Sequence, residues 1–204
     1  MAARPRWGVP HLVPRGRGLR VGRGGRARLG WPSYGVGPVS DSSDERPGIH
    51  PNVAKVIAAA RELGLEIEPR QFPDGTKTAA DAAAAIGVDV GQIVKSLIFA
   101  VDGEVVLAYV SGANQLDESK LADAAGGLKC SRVDADVVRA ATGYPIGGVP
   151  PFGHATELRV FIDPDLLQWP EVWAAAGTWH DVFGVEPHRL VEASEGEVTD
   201  LKRA

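Results

Sequence analysis

A loop rich in glycine and proline is the segment of this chain best suited to bind a ligand through its backbone. Residues 142–154, TGYPIGGVPPFGH, contain four glycines and three prolines. Prolines fix φ and glycines permit positive φ, so this composition excludes a regular helix or strand. Its uncovered N–H groups could hold a carbonyl, carboxylate or phosphate, as anion nests and oxyanion holes do. A purely structural connection between two elements is the alternative interpretation.

Lys95 is the second candidate, because it interrupts the apolar series of residues 93–99. A lysine in that position either extends to solvent from a sheet edge or points into a polar cavity. If the glycine-proline loop faces it, an ammonium opposite backbone donors would suit an acyl ester. The ester carbonyl gains negative charge during hydrolysis, and both groups would stabilise that charge.

Other chemical motifs are absent from the sequence. The histidines have no HExxH or comparable spacing, so we predict no metal site. No GxSxG elbow is present, and Gly147-Gly148 completes neither GxGxxG nor GxxxxGK[ST]. Cys130 is interpreted as a small strand residue rather than a nucleophile.

The elements that position these residues alternate between helices and strands. An Asp-Gly pair at Asp102-Gly103 predicts an antiparallel hairpin, and Thr78 with Asp81 predicts a capping box. A mixed α/β (α+β) fold follows. Helices are predicted at residues 53–63, 78–86, 116–125 and 134–140 and from Pro187, and strands at residues 65–68, 93–101, 105–110 and 159–162.

Charge divides the chain into two parts. Residues 1–40 carry eight arginines, nine glycines and five prolines with no acidic residue. The other 14 basic residues stand against all 26 acidic ones, so residues 41–204 have a formal charge of −12. We predict a disordered lead at residues 1–47 and one folded domain at residues 48–204. The lead could be a nucleic-acid-binding arm, a transit peptide, or an over-long gene model whose true start is Val36 or Val39.

Two composition features indicate the compartment. No run of 18 apolar residues occurs, so we expect no membrane span. The single cysteine cannot form an intramolecular disulfide, which favours a reducing, cytoplasmic setting.

The segment around Lys95, followed by the glycine-proline loop, resembles the YbaK family of aminoacyl-tRNA deacylases. That family includes the editing domain of bacterial prolyl-tRNA synthetases. The resemblance runs from about Asn52 to Ala193. It is carried by residues 92–97 (QIVKSL), by residues 142–144 (TGY) and by a GxxxP element at residues 147–151 (GGVPP), with weaker support from residues 115–117, 161–163 and Gly177.

The resemblance implies a curved, largely antiparallel sheet surrounded by helices, and hydrolysis of the ester of a mischarged aminoacyl-tRNA. It implies no cofactor and no metal. Lys95 would engage the substrate near the scissile ester, and a ribose hydroxyl or water would attack. Backbone groups of the loop would hold the aminoacyl or ribose end. The resemblance carries substrate-binding roles to Gly147, Gly148 and Pro151. His154, directly after Phe152-Gly153, and Gly177, a supporting match, are further candidates for binding the substrate.

The sequence departs from cysteinyl-specific members of that family. Residues 175–177 are Ala-Ala-Gly where such members have Ser-Gly-Gly, and their loop phenylalanine is replaced near Lys77-Thr78. A changed pocket favours a small amino acid other than cysteine. The expected partners are the acceptor end of an aminoacyl-tRNA and a synthetase, with no DNA or membrane.

The negative charge of residues 41–204 argues against an extensive contact with tRNA phosphates, but it is compatible with binding of the acceptor end alone. Two alternatives remain open: a non-catalytic module that senses an amino acid or aminoacyl nucleotide, and a hydrolase of another acyl ester. Retention of Lys95 favours an enzyme over the binding module.

Overall fold

The computed structural model describes residues 48–73 and 78–204. The disorder predicted for residues 1–47 lies outside the described residues, as does Lys77. The helices are α1 (Pro51–Glu62), α2 (Ala79–Ile86), α3 (Glu118–Ala125), α4 (Ala135–Thr142) and α5 (Pro187–Ser194). The strands are β1 (Arg70–Gln71), β2 (Val94–Val101), β3 (Glu104–Ser111), β4 (Cys130–Arg132), β5 (Arg159–Ile162), β6 (Val172–Ala175), β7 (Asp181–Val185) and β8 (Glu197–Val198).

Local side-chain chemistry begins and ends the helices where the sequence predicts. Thr78 Oγ1 accepts from Asp81 N at 3.1 Å, and the Asp81 carboxylate accepts from Thr78 N at 3.2 Å, which completes the predicted capping box. Asp117 and Asp134 cap α3 and α4 in the same way, through oxygen atoms that accept from the first helical turn. These caps satisfy N–H groups that have no partner inside a helix.

The strands form two sheets. One contains β1, β7 and β6 in that order and is antiparallel throughout. The other has the order β4-β2-β3-β5-β8, in which β2 is antiparallel to β3 and β4, whereas β5 is parallel to β3 and β8. A bridge between Ile93 and Trp173 links the two sheets. The predicted mixed α/β class is confirmed.

Two local expectations fail. Residues 65–68 form no strand, although the alternation of Leu65 and Ile67 predicted one. Leu65 is buried and Ile67 packs on the same core cluster, so side-chain packing alone accounts for the pattern. Strands β6 and β7 were not predicted.

The core lies on both faces of the five-stranded sheet. One cluster joins this sheet to α1, α4, α5 and the three-stranded sheet, and it includes Tyr109, Ile162 and Phe183. A second cluster packs α3 against the opposite face around Phe161 and Leu121. The site described below lies at the edge of β2, between these packed layers.

Candidate active site

Lys95 lies one residue into β2, opposite Val110 of β3. Its ammonium donates a hydrogen bond to the backbone oxygen of Asn114. Partial burial lowers the pKa of Lys95 below its ordinary value, and the negative charge of Asp163 partly opposes this shift. The lysine is therefore held inward rather than extended into solvent.

A buried carboxylate fixes the segment that holds Lys95. Asn114 Nδ2 donates to Asp163 Oδ2 at 2.7 Å and to Asp165 Oδ2 at 2.9 Å. Asp163 is fully buried, and it also accepts from Ser111 N at 3.1 Å and from Asp165 N at 3.0 Å. Because a buried charge is stable only when its hydrogen bonds are made, this arrangement leaves Asn114 little freedom. Its carbonyl is consequently held in place for the ammonium.

Beyond the bridge from Ile93 to Trp173 of β6, no strand in the described part of the chain pairs with the edge of β2 that faces away from β3 at residues 94–98. Strand β4 pairs only with Phe99, Ala100 and Val101. Gly112 N donates to Ile93 O at 2.7 Å, which fixes the alternation of the β2–β3 ladder. By that alternation, the N–H and C=O groups of Ser96 and Ile98 point away from β3. The open edge thus presents backbone donors and acceptors next to the lysine.

The glycine-proline loop is tied down through its carbonyl groups. The Tyr109 hydroxyl donates to Pro151 O, and the Trp179 indole N–H donates to Ile146 O. His154 Nε2 lies 2.8 Å from Pro150 O. Because a carbonyl oxygen can only accept, His154 Nε2 donates to Pro150 O. Burial lowers the pKa of His154, and this hydrogen bond opposes the shift. Such a loop is rigid without regular secondary structure, as the sequence predicted.

Glycine is required at positions 147 and 148 because the loop lies close against residues 177–179. Gly147 has φ +82°, and a Cβ there would lie 3.1 Å from the Trp179 indole. At Gly148 a Cβ would lie 3.0 Å from Thr178 Cα and 3.1 Å from the backbone of Gly177. A side chain at either position would displace the loop from the segment behind it.

Lys95 and the loop meet in two adjoining cavities. The first cavity has a volume of about 550 Å³ and the second about 310 Å³. Both are lined by two runs of residues, 95–97 of β2 and Ile146, Gly147 and Val149 of the loop. The condition stated from sequence, that the loop faces Lys95, is met. An ester at this junction could contact the ammonium, the loop and the open strand edge together.

The cavities differ beyond the shared wall. The first is completed by apolar residues such as Phe99 and Val138 and by the charged residues Glu118, Arg132 and Arg203. The second is completed mainly by small or apolar side chains of α2, β6 and β7, among them Ala82 and Ala175.

Two of the six site residues expected from the sequence, Lys95 and Gly147, line the cavities directly. The other four lie behind the wall. Gly148 packs on Gly177, whose carbonyl accepts from Asn52 Nδ2 at 3.1 Å, while Pro151 and His154 belong to the loop's internal hydrogen bonds. None of these four lines either cavity, and the substrate-binding role expected of them stays a prediction.

Three further residues join the site without having been predicted for it. Asn114 holds the Lys95 ammonium, Asp163 holds Asn114, and Ser96 lines both cavities. Ser96 Oγ is buried and has no hydrogen-bond partner among the described residues. Asp163 carried a signal in the sequence, since an Asp-Pro pair after a strand suits a capping carboxylate. No signal in the sequence indicated that Asn114 or Ser96 would belong to the site.

The described residues contain no cluster of three or more His, Cys, Asp or Glu side chains arranged to hold a metal ion. Among the same residues, no helix is long and apolar enough to cross a membrane.

Comparison with known proteins identifies relatives of this chain. The aminoacyl-tRNA editing domain profile matches residues 73–193, more than half of the chain. The uncharacterized protein YwhH of Bacillus subtilis is 31% identical over 133 residues, which cover 65% of this chain and 85% of that protein. The proline–tRNA ligase of Maridesulfovibrio salexigens is 33% identical over 139 residues, but the chain spans only 24% of that ligase.

Solved structures agree with this result. A protein described as a proposed trans-editing enzyme for prolyl-tRNA synthetase superimposes with a TM-score of 0.73 and 40% identity, covering 77% of this chain and all of that one. The hypothetical protein APE2540 gives a TM-score of 0.68 at 31% identity, covering 73% and 99% of the two chains. The resemblance inferred from residues around Lys95 and Gly147 is confirmed, and the chain belongs to the aminoacyl-tRNA editing domain family.

Proposed function

We propose that this protein is a free-standing trans-editing hydrolase that cleaves the ester of a mischarged aminoacyl-tRNA carrying a small amino acid. The observation that carries this proposal is that Lys95 and Gly147 line both cavities, at the point where the cavities adjoin. A substrate with one group in each cavity would place its ester bond between them. Membership in the editing domain family supplies the reaction class.

In the proposed mechanism Lys95 is the catalytic residue. An ammonium has three N–H donors, and one of them is occupied by Asn114 O. The others can meet the ester carbonyl oxygen as it becomes an oxyanion. Water attacks the carbonyl carbon directly, or a neighbouring ribose hydroxyl attacks first and water then cleaves the new ester that it forms; in each step the bond from the carbonyl carbon to the departing ribose oxygen breaks. In the net hydrolysis, the hydroxyl of water joins the acyl group and its remaining proton goes to the ribose oxygen.

The second cavity is the proposed pocket for the amino-acid side chain. It is lined by Ala79, Ala82 and Ala175, together with Ile86 and the ring of Trp173. Its 310 Å³ is at the lower end of small-molecule sites, and the alanine lining presents no charged group opposite the bound side chain. The alanine lining supports short substrates such as alanyl or seryl, and the replacement of Ser-Gly-Gly by Ala-Ala-Gly at residues 175–177 supports cysteinyl-tRNA as a poor substrate.

The proposed partner is the acceptor end of tRNA, encountered in the cytoplasm. Relatives named proline–tRNA ligase make tRNA specific for proline the first to test. A formal charge of −12 on residues 41–204 disfavours an extended phosphate interface, so the remainder of the tRNA would be held by a synthetase or not at all.

The test is a deacylation screen of the full chain against tRNA charged with Ala, Ser, Thr, Cys, Pro or a non-protein amino acid. We expect release of a small, wrongly attached amino acid and little action on cysteinyl-tRNA. Fastest cleavage of cysteinyl-tRNA would contradict the specificity. Binding of aminoacyl-tRNA without turnover would contradict the enzyme and select the sensing module. Hydrolysis of simple amino-acid esters alone would select a hydrolase unrelated to tRNA.

A further inference from the structure

The C-terminal segment, residues 199–204, brings a positive charge to the first cavity. Thr199 N donates to Ile162 O at 2.9 Å, Asp117 N donates to Leu201 O at 2.8 Å, and Arg203 N donates to Gln115 O at 2.8 Å. Leu201 is fully buried. The segment is therefore fixed against β5 and the start of α3, and it places Arg203 among the residues that line the first cavity. This segment lies beyond residues 73–193, the part of the chain that matches the editing domain.

The mouth of the first cavity is locally positive. Arg132 and Arg203 line it together with one acidic residue, Glu118. Arg132 approaches Glu118 only to 3.8 Å and is largely exposed, and Arg203 makes no ion pair with any described residue. Because residues 41–204 carry a formal charge of −12, an excess of guanidinium groups stands out at this position. An anionic group that approaches this protein would be attracted here and repelled elsewhere.

The shape of the site indicates which anion belongs at this mouth. If the aminoacyl group occupies the second cavity and the ester lies at Lys95, the ribose must continue toward the first cavity. The apolar side chains of Leu97, Phe99 and Leu116 then offer a surface for a base, and the first cavity is the larger of the two. The phosphate on the 5′ side of that nucleoside is the next group along the chain.

With the terminal nucleoside of the tRNA in the first cavity, as the proposed function requires, we propose that Arg203 binds the phosphate on the 5′ side of that nucleoside. This inference rests on the proposed function, because it uses the position of the ester. Arginine suits the role, since its planar fork can donate two parallel hydrogen bonds to phosphate oxygens. A single charged contact also agrees with an acidic domain that holds only the end of a tRNA.

The test measures binding of a probe that cannot be hydrolysed, 3′-alanylamino-3′-deoxyadenosine, with and without a 5′-phosphate. The full chain should bind the phosphorylated probe about tenfold more tightly. Arg203→Ala should abolish this preference, so that the two probes bind with equal affinity. Arg203→Lys should keep part of it. The matched control is Arg189→Ala, which removes an equally charged, exposed side chain from α5, away from both cavities.

Several results would overturn the inference. They are no phosphate preference in the unmodified protein, an equal loss of the preference in the Arg189 and Arg203 variants, a phosphate preference that survives Arg203→Ala, or binding of neither probe. Failure of the deacylation screen with the phosphate preference intact would instead reject the proposed function alone. If both stand, Arg203→Ala should also reduce the salt dependence of log kcat/KM for aminoacyl-tRNA by a slope of about 0.7.

Discussion

Beyond their shared wall, the first cavity is lined by Glu118, Arg132 and Arg203 as well as apolar residues, whereas the second is lined mainly by alanines and other apolar groups. They nevertheless share one wall, formed by Lys95, its neighbours on β2 and the loop around Gly147. The difference separates two tasks within one site. The shared wall can perform the same chemistry on any ester, while the unshared walls determine which groups are accepted on its two sides.

The largest expected effect comes from the shared wall. Lys95→Ala should reduce kcat for deacylation by about two to three orders of magnitude, as for loss of one oxyanion donor. The fold should persist, because the substitution removes a half-buried charge from a strand. Single-turnover kinetics and thermal unfolding measure the two effects. Lys55→Ala, an exposed position on α1, is the control.

A folded Lys95→Ala protein with the original rate would remove Lys95 from the mechanism. Lys95→Arg should recover only part of the activity, since a planar guanidinium places its charge differently from a compact ammonium.

Substitution of the buried carboxylate should change how Lys95 titrates. The charge of Asp163 raises the pKa of Lys95 against the effect of burial, so Asp163→Asn should lower that pKa further. Activity that needs the ammonium is lost as pH rises through this pKa. The alkaline limb of the pH profile for kcat, corrected for spontaneous ester hydrolysis, should therefore move to lower pH. Asp165→Asn is the control, and the alkaline limb of its pH profile should stay where it is. An unmoved alkaline limb in Asp163→Asn would contradict the effect of the Asp163 charge on the pKa of Lys95.

A larger side chain in the wall of the second cavity should change only the selectivity between aminoacyl groups. Ala175→Val suits a β-strand and reduces the space beside the substrate side chain. The value of kcat/KM for seryl or larger substrates should fall about tenfold relative to alanyl-tRNA, the range for one or two methyl groups. Parallel deacylation of the two charged tRNAs measures this ratio. A uniform loss for all substrates would argue against a side-chain pocket at Ala175.

The smallest effect is expected at Ser96, where stability and activity should move in opposite directions. Its buried Oγ has no partner among the described residues, so Ser96→Ala should leave the free energy of unfolding unchanged or raise it by up to about 1 kcal/mol. Deacylation should fall several-fold if the substrate is the missing partner.

Ser111→Ala is the matched control for Ser96, because Ser111 Oγ donates to Gly91 O at 2.8 Å in a buried position. Its loss should destabilise the protein by about 1 kcal/mol or more. Denaturant unfolding of both variants makes the comparison, and equal destabilisation would show that Ser96 is already satisfied in the free protein.

Features decided by neighbouring residues were predicted well. The capping box at Thr78, the hairpin at Asp102-Gly103 and the strand at residues 159–162 all occur where the sequence indicated. Caps and tight turns depend on a few adjacent side chains and on φ, so their signal is local. The strand predicted from the alternation at residues 65–68 was wrong, because a strand also requires a partner strand. In this chain Arg70 and Gln71 pair with β7 instead.

By itself, the sequence determined which residues have the chemistry for this site and, through the family resemblance, what reaction to expect. Lys95 stood out as a cation in an apolar strand, and Gly147 as part of a loop that no regular element could contain. Only the tertiary structure decided that these two positions face one another, that Asn114 and Asp163 hold the lysine, and that Gly148, Pro151, His154 and Gly177 lie behind the wall. These are contacts between residues far apart along the chain, and they depend on strand pairing and packing that no short stretch of sequence encodes.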